Sequence, residues 1–266
     1  MKSLAVISQK GGVGKTTLSL NLSLALAQLG ARVVLVDCDP QGAVGHSLTG
    51  AQPTCGLSGV IREPGALGDA LVATRLPGFR LLPVGEVEPR LWEQFNTDLA
   101  NGTLLSMVLD KLEASADLVV FDTPSGFCGA TMGALRASDY AISPLQAEPV
   151  ALRTLPQLLS IIGTLREEGN RVELLSLVLC MLQQRVGDSL AVAEEVWSRL
   201  PPDLVSETTI PRDVGVLAAS AAGVPLAMLQ RSRRRPIALV FDRLAAELAP
   251  RLDLYGEDDG PLSLFT

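Results

Sequence analysis

Lysines, glycines and threonines cluster near the start of the chain in the sequence SQKGGVGKTT, residues 8–17. The apolar residues 4–7 before this cluster predict a buried strand, and the leucine- and alanine-rich residues 17–29 after it predict a helix. Glycines at such a turn let backbone N–H groups approach an anion, and the N-terminus of the helix adds a partial positive charge. The cluster therefore predicts a loop that binds phosphate groups.

Several residues of this loop have predicted roles in binding a nucleotide with Mg²⁺. Lys15 is expected to contact the β- and γ-phosphates, and the hydroxyl of Thr16 is expected to bind the metal. The residues predicted to contact the nucleotide are Gly11, Gly12, Val13, Gly14, Lys15, Thr16 and Thr17.

The loop departs from the usual Gly-x-x-x-x-Gly-Lys-Thr pattern, because Gln9 replaces the first glycine and Lys10 follows it. Two neighbouring ammonium groups repel each other unless several phosphate charges pair with them. Lys10 is therefore a second candidate for phosphate contact. The alternative is that Lys10 is an ordinary solvated lysine.

Two further predicted strands end in carboxylates. Residues 32–37 end in Asp37 and are followed closely by Asp39, and residues 117–122 end in Asp122 before the segment Thr-Pro-Ser-Gly. Ligands of open parallel sheets bind at the carboxyl ends of strands, so these acids are expected to face the nucleotide. The second strand and its loop resemble a Walker B motif with its switch loop, which implies that Asp122 holds Mg²⁺ through a water molecule and that Gly126 senses the γ-phosphate. For each acid the alternative is an ordinary surface turn after a strand.

Apolar runs alternate with helical segments along the 266 residues, which predicts a single α/β domain. We expect a mostly parallel, twisted sheet with helices on both faces, because the chain is 47% hydrophobic but only 4% aromatic. The domain is predicted to span residues 1–254, and the acidic tail 255–266 is predicted to be disordered. A cytoplasmic protein is expected, since no stretch resembles a membrane span or a signal peptide.

The remaining pattern predicts the following elements. Strands are predicted at residues 79–83, 140–144, 172–182 and 207–210, helices at 89–114, 148–167, 191–200 and 237–248, and a short helical piece at 67–72. Residues 45–88 are otherwise rich in glycine and proline. Partner specificity often lies in such surface segments.

The cysteines predict a structural role. Cys38, Cys55, Cys128 and Cys180 are far apart and form no Cys-x-x-Cys pair. Cys38 and Cys180 fall in strand-like runs, where a thiol behaves as a small hydrophobic group. The single histidine, His46, is predicted to lie in a loop.

An arginine cluster precedes the last predicted helix, for which Pro236 is a natural first residue. It consists of Arg231, Arg233, Arg234 and Arg235, in a chain of net charge −7. Guanidinium groups near free backbone donors suit phosphate binding, so the cluster is a candidate DNA contact. The alternative is a solvated helix cap that pairs with local acids.

The loop sequence Lys-Gly-Gly-x-Gly-Lys-Thr resembles the deviant Walker A motif of the ParA/MinD family of ATPases, and Asp-x-Asp-Pro-Gln-Gly resembles the same family at the same distance further on. The resemblance covers residues 2–252. It implies that Lys10 contacts the nucleotide of the other subunit in a dimer, with Lys10, Lys15 and Asp39 as the catalytic residues. It further implies that Asp39 orients or activates the attacking water and that Asp37 supports the Mg²⁺ shell of Thr16 and Asp122.

The same resemblance implies that Met181 and Pro211 contact the adenine, because family members place such residues at the corresponding strand ends. The cofactors implied are ATP and Mg²⁺. The chain begins at the phosphate-loop strand without a preceding helix-turn-helix domain, which resembles the short ParA type.

The function implied is that of an ATP-dependent homodimer that hydrolyses ATP slowly by itself. The dimer would bind DNA without sequence preference on the nucleoid and position a chromosome, plasmid or protein assembly. A ParB-like protein or cargo adaptor would stimulate hydrolysis and release. The alternative is a MinD-like or cellulose-synthase-accessory ATPase that acts as an interaction module without DNA. The arginines favour DNA, and the acidic tail disfavours a membrane partner.

Overall fold

The computed structural model of the protein describes residues 1–48, 55–127, 129–149, 151–229 and 236–254. Within these ranges the strands are β1 Lys2–Val6, β2 Val33–Asp37, β3 Val72–Ala73, β4 Phe79–Leu82, β5 Leu118–Asp122, β6 Tyr140–Gln146, β7 Glu173–Leu182 and β8 Ile210–Pro211. The helices are α1 Lys15–Gln28, α2 Ala43–His46, α3 Leu57–Arg62, α4 Leu67–Ala70, α5 Trp92–Leu99, α6 Thr103–Leu112, α7 Ala130–Ala137, α8 Ala151–Glu167, α9 Gly187–Arg199, α10 Val214–Ala222 and α11 Ile237–Leu248.

The strands form one sheet in the order β3-β4-β2-β5-β1-β6-β7-β8, and each neighbouring pair is parallel except β3 and β4. The register places Asp122 at the end of β5 beside both Val6 of β1 and Asp37 of β2. Because loops that follow parallel strands leave from one edge, the loops after β1, β2 and β5 converge there. The predicted α/β fold with a mostly parallel sheet is confirmed.

Helices cover both faces of this sheet. Successive residues of a strand point to opposite faces, so Leu4 and Val6 are buried with residues of α1 and α11, whereas Ala5 is buried with residues of α5 to α8. α1 packs between the sheet and α11 and is buried on most sides. This position explains why its leucines and alanines show no distinct polar face.

The segment predicted as one helix, residues 89–114, contains two helices. α5 ends at Leu99, and α6 begins at Thr103. The carbonyl of Leu99 packs closely on α7, since a Cβ built on Gly133 would lie 1.8 Å from the carbonyl oxygen. The prediction of a single helix was wrong because the chain turns here to let α5 and α6 each contact α7.

Several short elements also differ from the sequence predictions. His46 is the last residue of α2 rather than a loop residue, and Val72 begins β3 rather than ending a helix. The strand predicted at 207–210 is reduced to β8, because from residue 207 onward only Ile210 and Pro211 pair with β7 among the described residues. α3, α7 and α10 were not predicted. The acidic tail, residues 255–266, lies outside the described residues.

Cys38 and Cys180 are buried, as a structural role requires. Burial raises the pKa of the Cys38 thiol well above its usual value and that of Cys180 to about 12. Both side chains therefore remain protonated at neutral pH. Cys55 is half-buried, and Cys128 lies outside the described residues.

Candidate active site

The loop between β1 and α1 has the backbone geometry of an anion cradle. Gly12 and Gly14 have φ values of 74° and 97°, in the left-handed region that favours glycine. Gly14 is the N-cap of α1, and as a glycine it has no side chain that could cap the helix. The first N–H groups of α1 therefore have no capping side chain, and the positive end of the helix dipole faces the loop.

Lys15, the first residue of α1, points into the buried part of the site. Its residue is only 8% exposed, and its Nζ donates a hydrogen bond of 2.8 Å to the hydroxyl of Ser125. Burial lowers the pKa of this ammonium, and the carboxylates of Asp122 and Asp39 partly oppose that effect. A buried cation with a neutral hydrogen-bond acceptor is suited to receive an anionic phosphate.

Asp122 is fully buried and holds two hydroxyl groups of α1. The Thr16 hydroxyl donates to Oδ2 at 2.7 Å, and the Ser19 hydroxyl donates to Oδ1 at 2.8 Å. Burial raises the pKa of Asp122 to about 6, against the effect of these hydrogen bonds and of Lys15. The sequence analysis missed Ser19, although its place one helical turn after Lys15 was a usable signal.

The donor set beside Lys15 fits Mg²⁺. Thr16 and Asp122 bring a hydroxyl and a carboxylate together, and Mg²⁺ usually takes one or two protein oxygens and completes its shell with phosphates and water. Among the described residues no group of three or more His, Cys, Asp or Glu side chains could hold a metal without such help. Thr16 and Asp122 would hold the ion, and the ion would supply positive charge to the phosphates.

Asp37 and Asp39 lie on the neighbouring turn and differ in burial. Both carboxylate oxygens of Asp37 accept backbone hydrogen bonds, from Asp39 N at 3.1 Å and from Val44 N at 3.0 Å. Burial, together with the negative charge of Asp122, raises the pKa of Asp37 well above its usual value. Asp39 is half-buried, and its Oδ1 accepts from Gln41 N at 2.9 Å. Asp37 therefore shapes the turn that presents the Asp39 carboxylate.

Lys10 lies at the outer rim of the loop, and its side chain is 49% exposed. Its Nζ lies 3.2 Å from both Gln146 Oε1 and Glu148 Oε2, and the Gln146 amide also donates to Glu148 Oε1 at 2.6 Å. Gln146 ends β6, and Glu148 lies between β6 and α8. The two loop lysines thus have separate surroundings within the chain.

A cavity of about 450 Å³ adjoins the loop and is lined by both residues predicted to contact the adenine. Met181 sits at a β-bulge between β7 and β8 with a φ of 56°, and its methyl group would be 3.8 Å from a Cβ built on Gly14. Pro211 of β8 lines the same cavity beside Val13. The sequence analysis missed the contribution of α10, whose Val214, Val216 and Leu217 line this cavity.

The predicted DNA contacts Arg231, Arg233, Arg234 and Arg235 lie outside the described residues. Within the described parts of the chain, the structure has no helix that is long and apolar enough to cross a membrane.

Comparison with known proteins finds relatives that match most of the chain. A family model described as an AAA domain matches residues 1–174. The chain is 34% identical over 231 residues to the chromosome partitioning protein ParA of Caulobacter vibrioides, covering 85% of this chain and 86% of that protein. It is 35% identical over 263 residues to the chromosome-partitioning ATPase Soj of Thermus thermophilus, covering 95% and 97%.

A solved structure shares the fold over nearly the whole chain. It is described as cobyrinic acid a,c-diamide synthase from Mycobacterium smegmatis with bound ATP analogue and magnesium, and it is 28% identical with a TM-score of 0.76. The match covers 95% of this chain and 96% of that one. The chain therefore belongs to the ParA/MinD family of P-loop ATPases and is an ATPase that uses ATP with Mg²⁺.

Proposed function

We propose that this ATPase is a ParA-type positioning switch. Two copies pair around ATP, the dimer binds DNA on the nucleoid without sequence preference, and a cargo such as a chromosome, a plasmid or a protein assembly is moved or held. Hydrolysis is slow until a ParB-like protein or cargo adaptor stimulates it, and hydrolysis releases the dimer. The chromosome-partitioning relatives support the positioning role.

The observation that carries the proposal is the separation of the two loop lysines. Lys15 is buried beside its own phosphate cradle, whereas Lys10 stands half-exposed at the rim. A second copy can reach the ammonium of Lys10 without displacing buried groups. We assign Lys10 to the nucleotide of the partner subunit and Lys15 to the nucleotide of its own.

The remaining roles follow from the chemistry of each group. The loop backbone and Lys15 bind the phosphates, and Thr16 and Asp122 bind Mg²⁺. Asp37 holds the neighbouring turn in place and so supports the Mg²⁺ site. Asp39 is the only one of these acids with substantial exposure, which suits a carboxylate that orients the attacking water. The adenine is assigned to the cavity of Met181 and Pro211.

The DNA contact is assigned to Arg231, Arg233, Arg234 and Arg235. A protein of net charge −7 is repelled by DNA at long range, so one arginine cluster gives weak binding. A dimer carries two arginine clusters and can therefore bind DNA more strongly than a single copy. DNA binding should therefore depend on ATP-driven dimerisation.

Fluorescence anisotropy with a labelled duplex tests this proposal. With MgATP the protein should bind DNA of unrelated sequences equally, with a slope of log affinity against log salt of about −4 to −7, if half to all of the eight arginines of a dimer neutralise phosphates. With MgADP binding should be weak. The double variant Arg233→Glu and Arg234→Glu should lose DNA binding but keep ATP-dependent dimerisation.

A matched control is the double variant Arg62→Glu and Arg90→Glu, which changes the net charge equally at two exposed positions. It should retain most of the DNA affinity. If the Arg233→Glu and Arg234→Glu variant binds DNA with unchanged affinity and salt slope, the arginine cluster is only a helix cap. The assignment of DNA binding to this cluster would then be wrong.

A further inference from the structure

The loop after β5 brings a hydroxyl group to the phosphate cradle. We infer that Ser125 is a further substrate-contacting residue, whose hydroxyl donates a hydrogen bond to the terminal phosphate of bound ATP beside Lys15. The inference rests on the phosphate site of the proposed function, but not on dimerisation or DNA binding.

The existing contact leaves the serine hydrogen available. A lysine ammonium is only a donor, so the 2.8 Å bond from Lys15 Nζ uses the Ser125 oxygen as its acceptor. The hydroxyl hydrogen of Ser125 has no acceptor among the residues that the structure describes. An unused donor next to the phosphate-binding lysine is complementary to an anionic oxygen placed between them.

Three hydrogen bonds fix the backbone on either side of Ser125. The Thr123 hydroxyl donates to Val6 O at 2.7 Å, and the Thr131 hydroxyl donates to Pro124 O at 3.0 Å. Gly126 N donates to Ser8 O at 3.0 Å, which ties this segment to the phosphate loop itself. A donor whose backbone is held in place before substrate arrives loses little entropy on binding.

The phosphate loop also leaves room for the serine. A Cβ built on Gly11 would lie 3.4 Å from Ser125 Oγ, so the hydroxyl already stands against the loop backbone. Gly126, which the sequence suggested as the γ-phosphate sensor, already uses its N–H on Ser8. The Ser125 hydroxyl, in contrast, still has a donor to offer.

The expected consequence is selectivity for ATP over ADP. ADP lacks the terminal phosphate, so loss of the Ser125 hydroxyl should weaken binding of a non-hydrolysable ATP analogue while leaving ADP affinity within about twofold. A hydrogen bond to a charged group is worth roughly tenfold or more in affinity. Ser125→Thr keeps a hydroxyl at this position and should restore most of the selectivity.

Isothermal titration calorimetry with Mg²⁺ tests this inference in a Lys10→Ala background, at a protein concentration where size-exclusion chromatography shows a monomer, so that dimerisation does not add to analogue affinity. Ser125→Ala should lower the ratio of analogue to ADP affinity about tenfold. The control Ser198→Ala removes an exposed hydroxyl from α9 and should leave that ratio unchanged.

Two results would overturn the inference. If Ser125→Ala leaves both affinities unchanged, or changes both by the same factor, the hydroxyl only accepts from Lys15 and does not contact the terminal phosphate. A protein that fails to dimerise or to bind DNA contradicts the proposed function instead, and the measured affinity ratio still decides the role of Ser125.

Discussion

The inner and outer parts of the active site differ in burial and in how their charged groups are paired. The inner part consists of Lys15, Thr16 and Asp122, and the outer part consists of Lys10, Asp39 and Glu148. Asp122 is fully buried and Lys15 is 8% exposed, whereas the side chains of Lys10 and Glu148 are 49% and 43% exposed. The two lysines are only five positions apart in sequence, yet one is enclosed and the other is accessible.

We propose that the inner groups bind the nucleotide and that the outer groups serve ATP-dependent dimerisation. The inner groups contact each other through short hydrogen bonds, so a phosphate meets a site that is already arranged. The outer groups make solvent-exposed contacts, and exposed ion pairs are weak enough to exchange partners. Variants of the two parts should therefore give different losses.

Lys15→Ala should cause the largest effect, because Lys15 is assigned to two phosphates of its own nucleotide. Two charge-assisted hydrogen bonds of ~1.5–3 kcal/mol each correspond to a loss of ATP affinity of ~10²- to 10⁴-fold. Lys10→Ala should keep most of the ATP affinity but lose ATP-dependent dimerisation. Calorimetry measures the first effect, and size-exclusion chromatography with MgATP measures the second.

The pair of variants tests the comparison directly. A Lys10→Ala protein that still dimerises with ATP would return Lys10 to the role of a solvated lysine. Equal losses of ATP affinity in the two variants would show that both lysines serve the nucleotide of their own subunit.

Asp39→Ala should lower the rate of ATP hydrolysis without lowering the affinity for ATP. Removal of a carboxylate that positions water should lower the turnover number at least ~10²-fold, because a general base commonly contributes that much. ATP affinity and dimerisation should remain close to those of the unchanged protein, since Asp39 does not contact Thr16 or Asp122 by any hydrogen bond in the described structure. A phosphate-release assay checks the rate, and a variant with unchanged turnover would make Asp39 a turn residue.

The sequence predicted which groups lie together in the inner part better than in the outer part, for a physical reason. The phosphate loop and the acids at strand ends are local patterns, and parallel pairing brings the ends of β1, β2 and β5 to one edge. The partners of Lys10 are not local, because Glu148 is 138 positions away. No periodicity indicates that the segment after β6 returns to the rim of the first loop.

Two other omissions have different causes. Ser125 was within a recognised segment, but only the three-dimensional structure reveals that its hydroxyl accepts from Lys15. α10 has the sequence VGVLAASAA, which contains no charged residue to mark a solvent-facing side, although three of its residues line the cavity. Its one usable signal was Asp213, which caps the helix through Gly215 N.

The smallest expected effect concerns the contact of Lys10 with Glu148. The same ammonium is assigned to the partner's nucleotide, so Glu148 and that nucleotide compete for it. An exposed ion pair biases an equilibrium by up to about fivefold, and a two-fold symmetric dimer must release two such pairs. Glu148→Gln removes the charge with little change of shape and should strengthen ATP-dependent dimerisation by up to about 25-fold.

Sedimentation velocity with Mg²⁺ and a non-hydrolysable ATP analogue can measure this change in the dimer dissociation constant. Glu195→Gln is the matched control, because it removes one partner of another exposed ion pair, with Arg199 at 3.0 Å on α9. Glu148→Gln should not restore dimerisation to a Lys10→Ala protein, since the ammonium for which Glu148 competes is then absent. Weaker dimerisation of the single variant would mean that Glu148 orients Lys10 towards the partner. Glu148 would then prepare Lys10 for the dimer contact rather than compete with the partner's nucleotide for its ammonium.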